Sequence, residues 1–449
     1  MKSLFTMIVL AAMLLSVSSC QDFLDEKADA QLTIPETVAD HQALLDNYMV
    51  MNTEFTSAAI VCMDDYYLTD AQFNAIPFEE NKRLYTWMPD HVAKASSLGN
   101  EWQSCYRAIY ICNMVLYNID HLKLKGTDAD EVRGQALALR AVRYLDAAQV
   151  WCLAYDPEKA NTTLGLPIRL DPDMAIPSTR STLKETYAQI ISDLQAAIPL
   201  LPQKQVSRMR MARDAAYGFL ARAYLYMGDY QNALLNAKQA LKITDTLMDY
   251  STLDLSATYS IPNFNQEILF WGVSFYEPTI MEARIDQKLY NTYDENDLRK
   301  AAFFRINSDN EIIFKGFYNR NNGPNPGVAV DELYLIMAEC EARIGNTQEA
   351  MDNLNKLLET RWKPGTFSPY IAASQQEALA IIRKEREKEM PLRGTRWADV
   401  KRYNRDGANI TMHRTVNGQS YELPPNDPRY AVAIPEEIIK IAGIPQNPR

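Results

Sequence analysis

The chain predicts a mainly α fold, a tetratricopeptide-like superhelix carrying a loop-rich second face. Three observations carry this expectation. The first is an internal repeat: Ala215 to Leu241 (AAYGFLARAYLYMGDYQNALLNAKQAL) lies on Glu332 to Leu358 (ELYLIMAECEARIGNTQEAMDNLNKLL) at an offset of about 117 residues. Ala221 meets Ala338, Gly228 meets Gly345 and Ala233 meets Ala350. Small residues let two helices approach closely, and a glycine ends the first helix in the left-handed region at low cost. The second is long helical periodicity elsewhere in the chain. The third is that these helices are interrupted by aromatic-rich, proline-broken stretches. Units of this kind bury a face only by stacking on neighbours.

Taken in order, Lys2, the apolar run Leu4 to Leu15 and Val17-Ser18-Ser19-Cys20 read as a secretory signal that ends in a bacterial lipobox. The run is shorter than the roughly 20 apolar residues a permanent span needs. Residues 1–19 are then the leader, and Cys20 is the acylated first residue of an exported protein held by lipid. Gln21 to Gln31 reads as a polar tether. Helical periodicity starts near Thr37, with Val38, Leu44, Leu45, Tyr48 and Met49 as its apolar positions. Phe55 to Gly99 is irregular and broken by Pro77, Pro89 and Gly99. Strong helices are expected from Glu101 and from about Asp128 to Ala154. Gly165 to Pro177 is a connector, and Thr182 to Leu200 is a helix with Ser181 as N-cap and Glu185 near its first turn. The tetratricopeptide-like helices thus occupy about 101–245 and 330–400. An insert over about 246–327 carries EILFWGVSF and EIIFKGFY as minor strands.

Composition restricts function. Of 449 residues, 47% are hydrophobic and 23% charged, so a large core is available and wholesale disorder is not expected. A net charge of −11 argues against nucleic acid or anionic lipid as the main partner. Cys62, Cys105, Cys112, Cys152 and Cys340 are odd in number after Cys20. Cys105 and Cys112 fall about 10 Å apart on one helix, too far to bridge. They read as small buried hydrophobes. His41, His91, His121 and His413 show no metal-ligand spacing, so no metal and no cofactor are expected. No nucleophile elbow, zinc-protease or phosphate-loop motif appears. Asp64-Asp65 does not by itself make a glycosidase pair, which needs carboxyls facing across a cleft. No catalytic residue is expected.

The KEREKE run (Lys384 to Glu389) alternates charge at helix spacing and reads as a solvated face. Trp397, Asp399 and Arg402 read as structural. Capture of a sugar or peptide needs flat aromatic faces with hydrogen-bonding groups around them. In the loop-rich regions the candidates are Tyr66, Tyr67, Phe73, Arg83, Tyr85 and Trp87, with Tyr276 and Tyr318 from the insert.

Several segments resemble one family in order along the chain. They are CQDFLDEK (Cys20 to Lys27); Trp102, Tyr106, Ile109 and Asn113; Gly134-Gln135-Ala136 with Leu139-Arg140-Ala141; and LGLPIRL (Leu164 to Leu170). RSTLKETYAQIISDLQAAIPLLP (Arg180 to Pro202), Asn296-Asp297-Leu298-Arg299, Glu385-Arg386 with Glu389, GTRWADVKRYN (Gly394 to Asn404), Pro424 to Tyr430 and Ile434-Pro435 follow. The chain is similar to the SusD/RagB nutrient-binding lipoproteins of the Bacteroidetes outer membrane, with Arg393 standing where the family often has Glu. The resemblance implies an outer-membrane surface lipoprotein that captures an oligosaccharide and serves as lid of a SusC-type TonB-dependent transporter, with no bond made or broken. An oligopeptide cargo, as in RagB, and a surface scaffold that holds a partner protein are the alternatives.

Overall fold

The computed structural model describes residues 34–90, 101–274, 280, 283–320 and 323–449. Cys20, the leader and Tyr276 lie outside the described residues.

The helices that build the frame are α1 (Val38–Leu45), α2 (Glu101–His121), α3 (Thr127–Trp151), α4 (Leu183–Ala197), α5 (Arg213–Met227), α6 (Tyr230–Leu241), α7 (Val330–Arg343), α8 (Thr347–Glu359), α9 (Gln375–Glu389) and α10 (Arg396–Arg405). Each packs on its successor from α2 through α8, and α9 folds back on α7. The two repeat units are therefore α5–α6 and α7–α8, joined where α6 packs on α7. Gly228 (φ +82°) and Gly345 (φ +95°) both occupy the left-handed turn between paired helices. Ala221, Ala233, Ala338 and Ala350 are fully buried at the close approaches. On α8, Met351, Leu354, Leu357 and Leu358 form the buried stripe, each leucine contributing about 1.5–3 kcal/mol.

Local chemistry explains the element ends. Thr182, one residue after the expected Ser181, caps α4. Its hydroxyl accepts the Glu185 N–H at 3.2 Å, and the Glu185 carboxylate accepts the Thr182 N–H at 2.8 Å. Such a reciprocal box is worth about 1 kcal/mol. The Ser181 hydroxyl instead donates to the Leu166 carbonyl at 2.7 Å.

The strands are β1 (Tyr66–Tyr67), β2 (Leu164–Pro167), β3 (Arg180–Thr182), β4 (Arg284–Ile285), β5 (Phe304–Ile306), β6 (Ile312–Phe314), β7 (Met412–Val416) and β8 (Gln419–Leu423). One antiparallel sheet runs β1-β4-β6-β5 and so unites the N-terminal loop region with the insert. EIIFKGFY supplies β6, as expected. Among the described residues of EILFWGVSF (Glu267 to Ser274) no strand forms: Ile268 and Ser274 make isolated bridges to Ala329 and Phe55. Its N–H groups go to separate loops, Trp271 to the Arg208 carbonyl and Val273 to that of Asn52. Burial on all sides, with no single neighbouring strand, accounts for its apolar run.

The KEREKE expectation is corrected. Glu385, Arg386, Lys388 and Glu389 are buried; Lys384 alone is fully exposed, and Glu387 is half-buried. The charges meet partners that are remote in sequence. Arg299 of the insert donates to Asp297 (2.9 and 2.7 Å), Glu385 (2.6 Å) and Glu389 (3.0 Å). Arg361 joins Glu389 (2.7 Å) to Glu267 (2.8 Å). Arg386 meets Asp399 (2.7 Å), and Arg402 grips Glu339 with two bonds (2.5 and 2.7 Å) and Asp399 with one (2.9 Å). Trp397, Asp399 and Arg402 are all buried, in keeping with the structural role expected of them. Helix spacing shows only i,i+4 neighbours; it is silent on a cation delivered from 86 residues away. The five described cysteines are free and buried. No helix among the described residues is long and apolar enough to cross a membrane.

Candidate functional site

The segment before β1, the segment after β4, α9 and the β7–β8 hairpin meet around a cleft of about 350 Å³. Asp64 and Asp65 enter from the approach to β1. Asp286, Lys288, Leu289 and Thr292 follow β4. Lys384, Glu387 and Lys388 come from α9, and Thr411 and His413 from the hairpin. The floor is electrostatically fixed. Arg396 on α10 grips Asp64 with two bonds (2.9 and 3.1 Å), reaches Asp65 at 3.7 Å and Glu387 at 3.4 Å. Burial alone would raise the Asp64 carboxyl, but Arg396 overrides it and holds the group below the usual range. Asp65 goes the other way: burial, with the charges of Asp64 and Glu387, raises it against the pull of Arg396. Asp64 and Asp65 thus share one guanidinium, which is the geometry of an anchored floor. The rim is polar and two-signed. Lys288 and Lys384 are exposed amines, Thr411 offers a hydroxyl, Thr292 Oγ1 (its proton given to the Leu289 carbonyl at 2.7 Å) offers an acceptor, and His413 faces Glu422 at 3.2 Å. A hydroxyl-rich ligand finds donors and acceptors here, with water-accessible partners on every wall.

Four of the aromatic candidates, Tyr66, Tyr85, Trp87 and Tyr318, are buried, and none of the described ones lines the cleft. Tyr66, Tyr85 and Trp87 are buried and surround one cation, the Arg414 guanidinium of β7, at 5.2, 3.8 and 4.8 Å from their ring centroids. Arg414 also donates to the carbonyls of Tyr85 and Met63. Their polar atoms are committed as well: Tyr66 donates to the Val61 carbonyl (3.1 Å), the Tyr85 oxygen accepts the Leu68 N–H (2.8 Å), and the Trp87 indole donates to Cys62 (2.9 Å). For these three the ring faces are filled from within, by cation–π contact. Phe73 is half-buried against Tyr85, and Arg83 pairs with Asp90 and Glu79. Tyr67, 42% exposed and paired with Arg284 across β1–β4, is the candidate that presents a ring to solvent beside the cleft. Tyr318 belongs elsewhere: it is buried, donates to Glu267 and Asp331, and lies under Arg393 at 4.1 Å. Tyr66, Tyr67, Phe73, Tyr85 and Trp87 are therefore brought together, whereas Tyr318 is not.

Lys288, Thr292, Lys384, Thr411 and His413 were not among the sequence candidates. The hairpin carried a usable signal: Asn417-Gly418 between alternating residues, both with positive φ, is the two-residue turn that sets such a register. Its tip is tied down by Asn417, whose N–H donates to Asp70 (2.7 Å) and whose amide exchanges bonds with that of Asn74.

Fold and cleft together describe a helical superhelix that carries a second face of loops and short strands. Residues 22–225 match the SusD-like family described as starch-binding and associating with the outer membrane, and residues 331–440 match the SusD family proper. The chain belongs to the SusD/RagB family. It is 22% identical to SusD-like protein P38 of Formosa agariphila over 388 residues, covering 68% of this chain and 72% of that one. A SusD superfamily protein of Bacteroides thetaiotaomicron superposes with a TM-score of 0.74 at 21% identity, over 92% of this chain and all of that one. A laminarin-binding SusD-like protein superposes with a TM-score of 0.63 at 16% identity, over 92% of this chain and 100% of that one. Members of the family are binding proteins associated with the outer membrane.

Proposed function

We propose that this protein is a surface lipoprotein, anchored through Cys20, that captures an oligosaccharide in the cleft and acts as lid of a SusC-type TonB-dependent transporter. The observation that carries this reading is the cleft itself: about 350 Å³, walled by hydroxyls, amines and carboxylates from the N-terminal loops, the insert and the C-terminal segment. Ligand pockets typically measure about 300–1,000 Å³, so one or two sugar residues fit. Tyr67 beside it supplies a stacking face. The laminarin-binding relative supports a carbohydrate cargo, and the lipobox with its polar Gln21 to Gln31 tether suits a lid that must swing. Mechanistically this is capture and gating.

An oligopeptide cargo is the second reading, favoured by the two-signed rim: Lys288 and Lys384 suit a terminal carboxylate, and Asp286 and Glu387 a terminal amine. Calorimetry of the mature protein against a panel of oligosaccharides and of mixed peptides separates them. Binding of at least one glycan supports the first reading. Binding of peptides with no glycan response sinks it.

A further inference from the structure

We propose that Phe264, backed by the buried Trp271, forms a second sugar-contact site outside the cleft, which takes the apolar face of a neutral pyranose unit. The proposal rests on the reading that the cargo is a glycan. Phe264 is 45% exposed and sits at φ +52°, a left-handed conformation unfavourable for a bulky L residue. Strain and exposure in one aromatic residue are not explained by core packing. Its ring lies nearly flat on the Trp271 indole, centroids 5.2 Å apart and planes 21° apart.

The pair is held rigid. The Trp271 Nε1–H donates to Asn263 Oδ1 at 2.9 Å, and the same oxygen accepts the Phe264 N–H at 3.1 Å. The Trp271 backbone N–H donates to the Arg208 carbonyl (2.8 Å), and its own carbonyl accepts Asn52 Nδ2 (2.9 Å). Asn263 and Gln266 lie one and two residues from Phe264 in the chain, and Gln266 is exposed. Gln266 spends its Nε2 on the Leu247 carbonyl (2.7 Å), which leaves its Oε1 as an acceptor; Asn263 spends its Oδ1 twice, which leaves its Nδ2 as a donor. A flat, preorganised apolar face with one amide donor and one amide acceptor beside it matches a pyranose ring, whose axial C–H groups stack while its equatorial hydroxyls bond. The flanking groups are amides and carry no charge, so the class is a neutral glycan. None of these residues lines the cleft. A polysaccharide that spans both sites gains affinity over a short oligosaccharide that fills one.

The test is native affinity electrophoresis of the mature protein through gels containing laminarin, amylopectin, xyloglucan or galactomannan. The variants are Phe264→Ala and Phe264→Asn; asparagine tolerates the left-handed backbone and so guards against misfolding, which thermal melting checks. Wild-type retardation by one of these polymers, weakened about three- to tenfold in both variants, is the expected result. Retardation unchanged in both variants overturns the platform and leaves the cleft reading standing. No retardation of the wild type by any polymer overturns the platform and the glycan reading together.

Discussion

Replacing Arg299 by methionine tests the buried ion cluster that ties the insert to the superhelix. Arg299 is fully buried and makes four bonds of 2.6–3.0 Å to Asp297, Glu385 and Glu389. Methionine retains much of the volume and removes the charge. Breaking a buried pair from one side costs about 3–5 kcal/mol. Three carboxylates lose a partner here, yet each keeps something: Lys388 still reaches Asp297 (3.1 Å) and Glu385 (2.9 Å), and Arg361 still reaches Glu389 (2.7 Å). The loss therefore stays within that range. For a cooperative unit of this size an unfolding entropy of about 2.1 cal/mol/K per residue converts it to a Tm drop on the order of 3–6 °C. Differential scanning calorimetry reads the drop. Adding Glu389→Gln should cost less than its effect alone, by about 1 kcal/mol or more, because the Glu389 carboxylate has already lost one of its two cations. A Tm change under 1 °C for Arg299→Met, or strict additivity in the cycle, would refute the claim that these charges act as one unit.

Three further outcomes are expected. Glu101 accepts N–H bonds from Ser57 (2.6 Å) and Ala58 (3.1 Å), and burial pushes its carboxyl up to about 7 against those bonds. Because the folded state holds this proton and the unfolded state releases it near 4.5, its contribution is full below pH 4.5 and is lost as pH rises to 7. Urea midpoints of wild type against Glu101→Gln at pH 5 and 7 should diverge, wild type losing at most about 1.4 kcal/mol per pH unit relative to the variant; parallel pH slopes would count against it. Gly345→Ala, at φ +95° with no neighbour within 4 Å of the new Cβ, should cost about 1 kcal/mol from backbone strain alone, and Gly345→Asn less; equal urea midpoints would contradict the left-handed turn. C20A should leave the protein folded and glycan-competent but absent from the membrane fraction; retention there in cells lacking a transporter partner would contradict the lipid anchor.

What could be read from the chain differs by the physics involved. The repeat was legible because Gly228/Gly345 and the alanine pairs are local requirements of a helix turn and a close approach, which spacing records directly. Helix limits fell within a few residues for the same reason, although Thr182 and Ser181 offer near-identical hydroxyls and only the three-residue reach to Glu185 distinguishes them. Burial of Glu385 to Glu389 was not legible, because it depends on Arg299 and Arg361 arriving from elsewhere. Burial of three aromatic candidates was hidden in a related way. Tyr66, Tyr85 and Trp87 do cluster, but Arg414 fills the space between them, and nothing near them in sequence announces a cation from 329 residues away. The cleft was illegible for the opposite reason: Lys288, Lys384 and Thr411 are ordinary surface residues whose meaning lies only in their convergence.

On the proposed reading, cargo occupies the cleft between Asp286–Thr292, Lys384–Glu387 and the hairpin. Thr292→Trp fills that space with an indole from a half-exposed position. Isothermal titration of wild type and this variant with the tightest-binding oligosaccharide of the panel decides it. Occupancy of the cleft requires at least about a tenfold loss of affinity, or about 1.4 kcal/mol, with Tm unchanged. An unaltered Kd in a folded variant would place the cargo elsewhere on the protein.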